Sequence, residues 1–133
     1  MEIIENRTEI NSDNIKSQMR KGILEYCILS ILARNDEAYA SSIITELKEA
    51  EMIIVEGTLY PLLTRQKNQG LLKYRWEESK QGPPRKYYSL TEKGELTLKE
   101  LDSVWNELVD TIEKIKTNNS YLGNVETDDN EIV

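Results

Sequence analysis

The sequence of 133 residues predicts a mainly α-helical protein of the α+β class, in which helices precede a two-stranded β-hairpin and one long helix follows it. Three observations predict this order. Apolar residues recur at helical spacing up to residue 70. Between Leu72 and Glu78, apolar and charged residues alternate, as in a half-buried strand. From Leu98 to Ile115, apolar residues follow one another at intervals of 3, 4, 3, 4 and 3, as on one face of a helix.

The N-terminal part is predicted to contain a flexible arm and two helices. Residues 1–12 are assigned to the arm, and residues 13–34 to the first helix. Its apolar residues are nearly continuous over positions 23–33, too broad for a single stripe. Such a helix is buried on more than one side, and we expect part of it to face a second subunit. After a turn, residues 39–51 form the second helix.

The third helix is the element around which the rest of the domain is organised. It is predicted to begin near Glu56 to Thr58 and to end at Gly70, since Pro61 fits best near a helix start and glycine is a frequent C-terminal cap. Its apolar side carries Leu59, Leu62, Leu63 and Gln66. Its other side is small and polar, with Gly57, Pro61, Thr64 and Asn68 flanked by Thr58, Tyr60 and Arg65. A short helix of this kind is suited to insertion into the DNA major groove.

A basic hairpin follows the third helix. Residues 72–78 form its first strand, the sequence S-K-Q-G-P-P at 79–84 forms the turn, and residues 85–90 form the returning strand. Alternation predicts that one of the adjacent rings of Tyr87 and Tyr88 enters the core while the other braces the hairpin. Three helices followed by a hairpin are typical of a winged helix-turn-helix, with the hairpin as the wing. We assign residues 13–90 to this DNA-binding domain.

The C-terminal helix is predicted to span residues 91–117, with Thr91 as its N-cap. The narrow spacing of its apolar residues favours pairing with the same helix of a second subunit, although docking on its own subunit is the alternative. The predicted dimerisation residues are Leu98, Leu101, Trp105, Leu108, Ile112 and Ile115. Residues 118–133 are polar and acidic and are predicted to be a disordered tail.

Charge is distributed unevenly along the chain, whose formal net charge is −7. Residues 62–86 carry seven Lys or Arg against two Glu, a local excess of +5, whereas residues 87–133 carry four Lys against eleven acids. A positive patch on an acidic protein is expected of a domain that binds DNA at one place. Ordinary solvated lysines on a hairpin would give the same charge count.

Composition excludes several other classes of protein. The chain has one cysteine and no histidine, so an internal disulfide is impossible and the usual metal-ligand sets are missing. No apolar run is long enough to span a membrane, and the acidic N-terminus differs from a secretion signal. No glycine-rich phosphate loop or histidine-based catalytic group occurs. We therefore expect a cytoplasmic protein that is not an enzyme and needs no cofactor or metal.

Three strings resemble the PadR family of bacterial transcriptional regulators: E-G-T-L-Y-P-L-L-T-R at 56–65, G-L-L at 70–72 and G-P-P-R-K-Y-Y-S-L-T-E-K-G at 82–94. A single C-terminal helix resembles the short subfamily, which includes multidrug-responsive repressors. The resemblance implies a homodimeric repressor that binds an inverted-repeat operator in double-stranded DNA. Gln66 is a departure, because many members have a leucine there, and on the inner side it implies a looser or hydrogen-bonded contact.

The predicted DNA-binding residues lie at the starts of the second and third helices, on the third helix and on the hairpin. They are Tyr39, Ser41, Ser42, Gly57, Thr58, Tyr60, Thr64, Arg65, Lys80, Arg85 and Lys86. Tyr60 either donates to the DNA or packs against the second helix. Arg65 binds either a phosphate or a guanine, and Ser41 and Ser42 either bind a phosphate or cap their helix.

Trp105 has two interpretations. It lies in the apolar seam of the last helix, so it is expected to fill the dimer interface. By resemblance to multidrug-responsive relatives, it would instead stack on a planar aromatic effector, with Leu101, Leu108 and Tyr26 lining the space. A further alternative for the whole chain is a winged-helix module that binds proteins through its acidic surface and has no affinity for DNA.

Overall fold

The computed structural model describes the backbone of residues 2–124 and the side chains of residues 12–117. Four helices and one antiparallel hairpin make up this part of the chain. Their order is α1 (Glu2–Asn35), α2 (Ala40–Glu49), α3 (Glu56–Asn68), β1 (Leu72–Ser79), β2 (Gly82–Leu90) and α4 (Glu92–Asn124). The predicted winged helix-turn-helix order is confirmed.

Helix α1 begins at Glu2 and not near residue 13, so the predicted N-terminal arm is part of the helix. Residues 2–12 contain no proline or glycine that would interrupt a helix. Their weak apolar pattern does not prevent helix formation. Its second half supplies the core, where Leu24, Ile28, Leu29 and Leu32 are almost fully buried. The helix ends before Asp36, which adopts a left-handed conformation with φ of 67°.

Helix α3 has the inner side that the sequence predicts. Leu59, Leu63 and Gln66 are buried, and Leu62 is half-buried. At its end, the Leu71 N–H donates to the Gln66 carbonyl at 2.9 Å and the Gly70 N–H to the Lys67 carbonyl at 3.0 Å. This pair of bonds is a Schellman motif, and Gly70 has the positive φ of 81° that it requires. Pro61 lies in the second turn, not the first, so it supplies no N–H to the helix there.

The hairpin is antiparallel and slightly longer than predicted. Leu72 pairs with Leu90, Tyr74 with Tyr88 and Trp76 with Lys86, with an irregularity between Glu77 and Ser79. A further bridge joins the hairpin to the helices, because Ala38 and Tyr88 exchange backbone hydrogen bonds of 3.0 and 2.8 Å. The hairpin is therefore fixed to the turn between α1 and α2 through its backbone.

The start of α4 packs closely on the end of α3. The Thr91 hydroxyl donates to the Gly70 carbonyl at 2.6 Å and accepts from the Gly94 N–H at 3.0 Å, so Thr91 is the predicted N-cap. A β-carbon on Gly94 would lie 2.1 Å from the Leu71 carbonyl oxygen, so only glycine fits. By its contacts the chain divides into two units, one ending at Leu98 and the other beginning at Lys99.

Helix α4 continues to Asn124, past the predicted boundary at 117. The remainder of the predicted acidic tail, residues 125–133, lies outside the described residues. In the second unit, Leu101 is half-buried, whereas Trp105, Leu108, Ile112 and Ile115 are exposed. The seam predicted from the 3,4 spacing is thus a stripe of largely uncovered apolar side chains.

Candidate nucleic-acid interface

One concave surface brings together the polar side of α3, the start of α2 and the hairpin. These elements border a cleft of about 460 Å³. Its lining includes Ser41 from α2, Tyr60 and Thr64 from α3, and Trp76, Arg85 and Lys86 from the hairpin. The sequence predicted five of these six as DNA-binding residues, and the structure brings those five to one surface. Trp76 was not among them.

The first turn of α3 is held by its backbone. Val55 occupies the N-cap position, and its carbonyl accepts from the N–H groups of Thr58 and Leu59 at 3.0 and 3.1 Å. Gly57 is exposed, and a β-carbon built there would meet no atom within 4 Å. The fold itself does not require a glycine at this position. Glu56, also exposed in this turn, places a carboxylate where it opposes a phosphate.

Tyr60 and Thr64 lie on the outer side of α3, one turn apart. Tyr60 is 46% exposed and lines the cleft, so nearly half of its surface is open to a partner. Thr64 is exposed beside it. Burial raises the pKa of the neighbouring Tyr88 phenol, and the phenols of Tyr60 and Tyr74 raise it further. The Tyr88 hydroxyl is therefore a neutral hydrogen-bond donor at physiological pH.

Arg65 differs from the other outer residues because it has an intramolecular partner. Its guanidinium contacts the Glu25 carboxylate of α1 through Nε at 2.9 Å and through NH2 at 2.7 Å. Gln66, beside it, donates from Nε2 to the Glu25 backbone carbonyl at 3.2 Å. The Gln66 amide oxygen, by contrast, accepts no hydrogen bond from the described residues. Of the two alternatives for Gln66, a looser or a hydrogen-bonded contact, the hydrogen-bonded one is observed, through the amide nitrogen.

One face of the hairpin is joined to the α1–α2 turn by stacked charges and rings. Arg75 donates to the Glu37 carboxylate at 2.6 and 3.1 Å and also contacts Glu77. The Arg75 guanidinium lies 4.8 Å from the Tyr87 ring centre, and Tyr87 meets Tyr39 edge-on at 5.0 Å. The hydrogen bond from Arg75 lowers the pKa of Glu37, so the carboxylate stays charged.

Arg85 extends the same stack. Its guanidinium lies 4.7 Å from the Tyr39 ring centre, and the side chain remains exposed at the edge of the cleft. The predicted division of labour between the adjacent tyrosines is also observed, because Tyr88 is buried and Tyr87 braces the hairpin. The stack therefore positions a cation beside the start of α2.

The opposite face of the hairpin is aromatic and basic. Lys86 Nζ lies 4.4 Å from the Tyr74 ring centre and 5.3 Å from the Trp76 ring, and Lys67 Nζ lies 5.6 Å from Tyr74. The sequence pattern predicts a half-buried strand, but burial decreases along it, and Trp76 is 60% exposed. The core ends at Tyr74, because Trp76 lies closer to the tip, beyond the helices. Lys80 is exposed at that tip.

The start of α2 carries the remaining predicted contacts. Tyr39 is its N-cap residue, and the Tyr39 carbonyl accepts from the N–H groups of Ser42 and Ile43. No side-chain capping bond to this helix occurs in the described part of the chain, so the capping interpretation of Ser41 and Ser42 is wrong. Ser41 is exposed and Ser42 half-buried, beside the Tyr39 ring. Both hydroxyls thus lie near the helix N-terminus, and neither caps the helix.

The residues predicted to bind an effector are distributed over two helices. Trp105 and Leu108 are exposed on α4, Leu101 is half-buried there, and Tyr26 is half-buried on α1. Among the described residues, no group of three or more Cys, Asp or Glu is arranged to hold a metal ion. Within the same range, no helix is both long and apolar enough to cross a membrane.

Four residues have contacts or an exposure that the sequence analysis does not predict. Glu25 lies on α1, and Glu37 lies just after it. Glu25 binds an arginine 40 positions away and Glu37 binds one 38 positions away, and nothing in the local sequence indicates either contact. The alternation between Leu72 and Glu78 predicts a half-buried Trp76, which is exposed in the structure. Gly94 lies in the T-E-K-G string, but only the packed structure reveals its contact with Leu71.

Comparison with known proteins gives a consistent result. Residues 28–100 match the transcriptional regulator PadR-like family. The chain is similar to a PadR-like transcription factor from Bacteroides fragilis, with 64% identity, coverage of 77% of this chain and 98% of that one, and a TM-score of 0.66. It is also similar to a PadR family regulator from Eggerthella lenta, with 34% identity, coverage of 80% and 96%, and a TM-score of 0.69. No curated protein matches significantly.

Proposed function

Because the chain belongs to the PadR-like family of transcriptional regulators, DNA-binding proteins that are not enzymes, we propose that it is a homodimeric repressor of an inverted-repeat operator. One observation carries the proposal. The polar side of α3 and the cations of the hairpin border the same cleft, so a helix and a wing face one partner together. We expect the protein to act in the cytoplasm, where its DNA target lies.

Helix α3 is the element that enters the major groove. The absence of a side chain at Gly57 has no internal reason, which supports close approach of the duplex to this turn. Tyr60 and Thr64 present hydroxyls to base edges or phosphates, and Thr58 donates at the start of the helix. Glu56 limits where a phosphate can lie, and the Thr58 N–H already donates to the Val55 carbonyl, so the Gly57 N–H is the backbone donor of this turn that can meet a phosphate.

The wing follows the DNA backbone. Arg85 is oriented by the Tyr39 ring and Lys86 by two aromatic rings, so both cations are held on the cleft side at reduced entropic cost. Lys80 at the tip reaches the adjacent minor groove or its phosphates. Tyr39, Ser41 and Ser42 bind a phosphate at the N-terminus of α2, where the uncapped N–H groups favour an anion.

Helix α4 forms the dimer. Proteins of this family typically dimerise, and the exposed stripe of Trp105, Leu108, Ile112 and Ile115 is costly to leave in water. We propose that the same stripe of a second copy covers it, from Leu98 through Ile115. Ile15 and Met19 on α1 are also exposed and are proposed to face the second subunit. A two-fold axis would set the two α3 helices about 34 Å apart, one turn of DNA.

A small planar aromatic effector would release the repressor. The proposal is supported by Trp105, whose large ring is exposed on the dimerisation stripe. Across a two-fold axis, two such indoles can stack on one flat ligand, with Leu101 and Leu108 from α4 and Tyr26 from α1 lining the space. Quenching of Trp105 emission by planar dyes, lost in Trp105→Ala, would support the pocket; unchanged emission would assign Trp105 to packing alone.

The decisive experiment selects duplexes from a random pool with the purified chain. We expect an inverted repeat with half-sites one helical turn apart, bound by two chains as measured by light scattering. If each half neutralises about 3–4 phosphates, the slope of log K against log salt should be about −6. Failure to bind any duplex in dilute buffer would overturn the proposal and favour the alternative of a module that binds proteins.

A further inference from the structure

Trp76 is a large side chain that the fold does not use. It lies on β1 opposite Lys86, and 60% of its surface is exposed although the strand pattern assigns it to the inner face. Large aromatic side chains are uncommon on open surfaces unless they contact a partner, because leaving an indole in water is unfavourable. The other tryptophan, Trp105, already has a proposed place in the dimer interface.

The orientation of Trp76 is nevertheless fixed. Tyr74 meets its ring edge-on with centres 6.1 Å apart, and Lys86 Nζ lies 5.3 Å from the ring centre. The indole is thus held between two neighbours on the same face of the hairpin and lines the cleft that α3 borders. A fixed, exposed ring loses little conformational freedom when a partner covers it.

The surroundings of Trp76 indicate the chemistry of that partner. Lys86 and Arg85 bring two cations into the cleft, Tyr60 and Thr64 bring hydroxyls, and Glu56 is the one acidic residue in the lining. A partner that suits these groups carries regularly spaced anions and has an apolar body between them. The sugar–phosphate strand of DNA has this pattern, because each deoxyribose presents an apolar face between two phosphates.

We propose that Trp76 is a non-ionic contact to the DNA backbone, packing its ring on a deoxyribose while Lys86 binds the adjacent phosphate. This inference rests on the proposed function, since it places α3 in the major groove and one strand in the cleft. Trp76 lies on a strand and has a single donor, so it adds affinity without reading sequence. Its contribution to affinity is independent of salt concentration, because an uncharged contact releases no counterion from the DNA.

The test measures binding of a selected operator and a random duplex at several salt concentrations. We expect Trp76→Ala to weaken binding of both duplexes about tenfold, as when a well-packed interface aromatic is truncated, with an unchanged salt slope. Trp76→Phe should retain most of the affinity. Lys86→Gln is the matched control, and it should reduce the slope by about 1.8, because each of the two subunits loses one phosphate contact. Thermal unfolding checks that each variant is folded, which is expected because Trp76 lies outside the core.

A second readout follows the indole directly. The chain has two tryptophans, so the acrylamide quenching of the wild type minus that of Trp76→Phe reports on Trp76, and duplex DNA should reduce this difference. Three results would each overturn the inference while leaving the proposed function intact. They are wild-type affinity of folded Trp76→Ala for both duplexes, a loss of affinity confined to the operator, and a changed salt slope. Protection by a small aromatic compound but not by DNA would also overturn it. A wild-type chain that binds no duplex overturns both.

Discussion

Glu25 and Arg65 join α1 to α3 across 40 positions of the sequence, through a carboxylate that meets two nitrogens of the guanidinium. The pair lies on the side of α3 next to the residues that are proposed to bind DNA. Arg65 is still more than half exposed, so solvent weakens the attraction, and such pairs contribute about 0–1 kcal/mol to stability. The pairing directs the guanidinium towards α1.

We therefore expect Arg65→Ala to weaken binding of operator and random duplex equally, by less than about 1 kcal/mol. Fluorescence anisotropy with both duplexes measures this. Glu25→Gln is the control, since it frees the guanidinium and should tighten binding only when Arg65 is present. A loss of about 1–3 kcal/mol on the operator alone would instead identify Arg65 as a base contact.

Gly94 is predicted to be irreplaceable. A β-carbon there would approach the backbone of Leu71, which cannot move without disrupting the end of α3. We expect Gly94→Ala to lower the free energy of unfolding by about 2–4 kcal/mol, measured by urea denaturation. Gly22→Ala is the matched control, because a β-carbon in that exposed part of α1 meets nothing within 4 Å. It should stabilise the protein by about 0.5–1 kcal/mol, and equal effects of the two changes would contradict the close contact.

Acid should release the hairpin from the α1–α2 turn. Arg75 lowers the pKa of Glu37, so the contribution of this pair is complete above the ordinary glutamate range and is lost as pH falls through the lowered value. Thermal unfolding of the wild type and Glu37→Gln should differ at neutral pH and converge in acid. A difference that persists at the lowest pH would mean that Glu37 stabilises the hairpin by packing and not by charge.

The apolar stripe of α4 should control both assembly and DNA affinity. Leu108→Glu places a charge in the proposed seam and should yield a monomer by light scattering, with operator affinity reduced about 10²–10⁴-fold because two linked half-sites become one. Ser103→Glu adds the same charge on the opposite side of the helix and should remain dimeric. If both variants are dimers, the subunits associate through another surface.

Much of the fold follows from local sequence. The inner side of α3, the Schellman end at Gly70, the cap at Thr91 and the division between Tyr87 and Tyr88 are all predicted correctly. Each depends on residues within a few positions of one another, through helical spacing, strand alternation or the conformational freedom of glycine. Helix ends with weak signals are predicted less well, as at the start of α1 and near the C-terminus.

The proposed DNA-binding site is predicted in part. Sequence motifs identify which elements carry Tyr60, Arg85 and Lys86, and the structure brings these residues to one cleft. The partners of the charged residues do not follow from the motifs, because a surplus of cations gives no information about which acid lies nearby. Arg65 is the example, since its role changes once Glu25 is known to bind it.

The sequence by itself determined the order of the elements and the side of α3 that is buried. Only the tertiary structure decided that Glu25 holds Arg65, that Glu37 holds Arg75, that Gly94 touches Leu71 and that Trp76 remains exposed. The physical reason is the distance along the sequence over which each interaction acts. Periodicity and capping act between neighbours along the chain, whereas a salt bridge, a close backbone approach or an uncovered ring depends on which distant segments the folded core brings together.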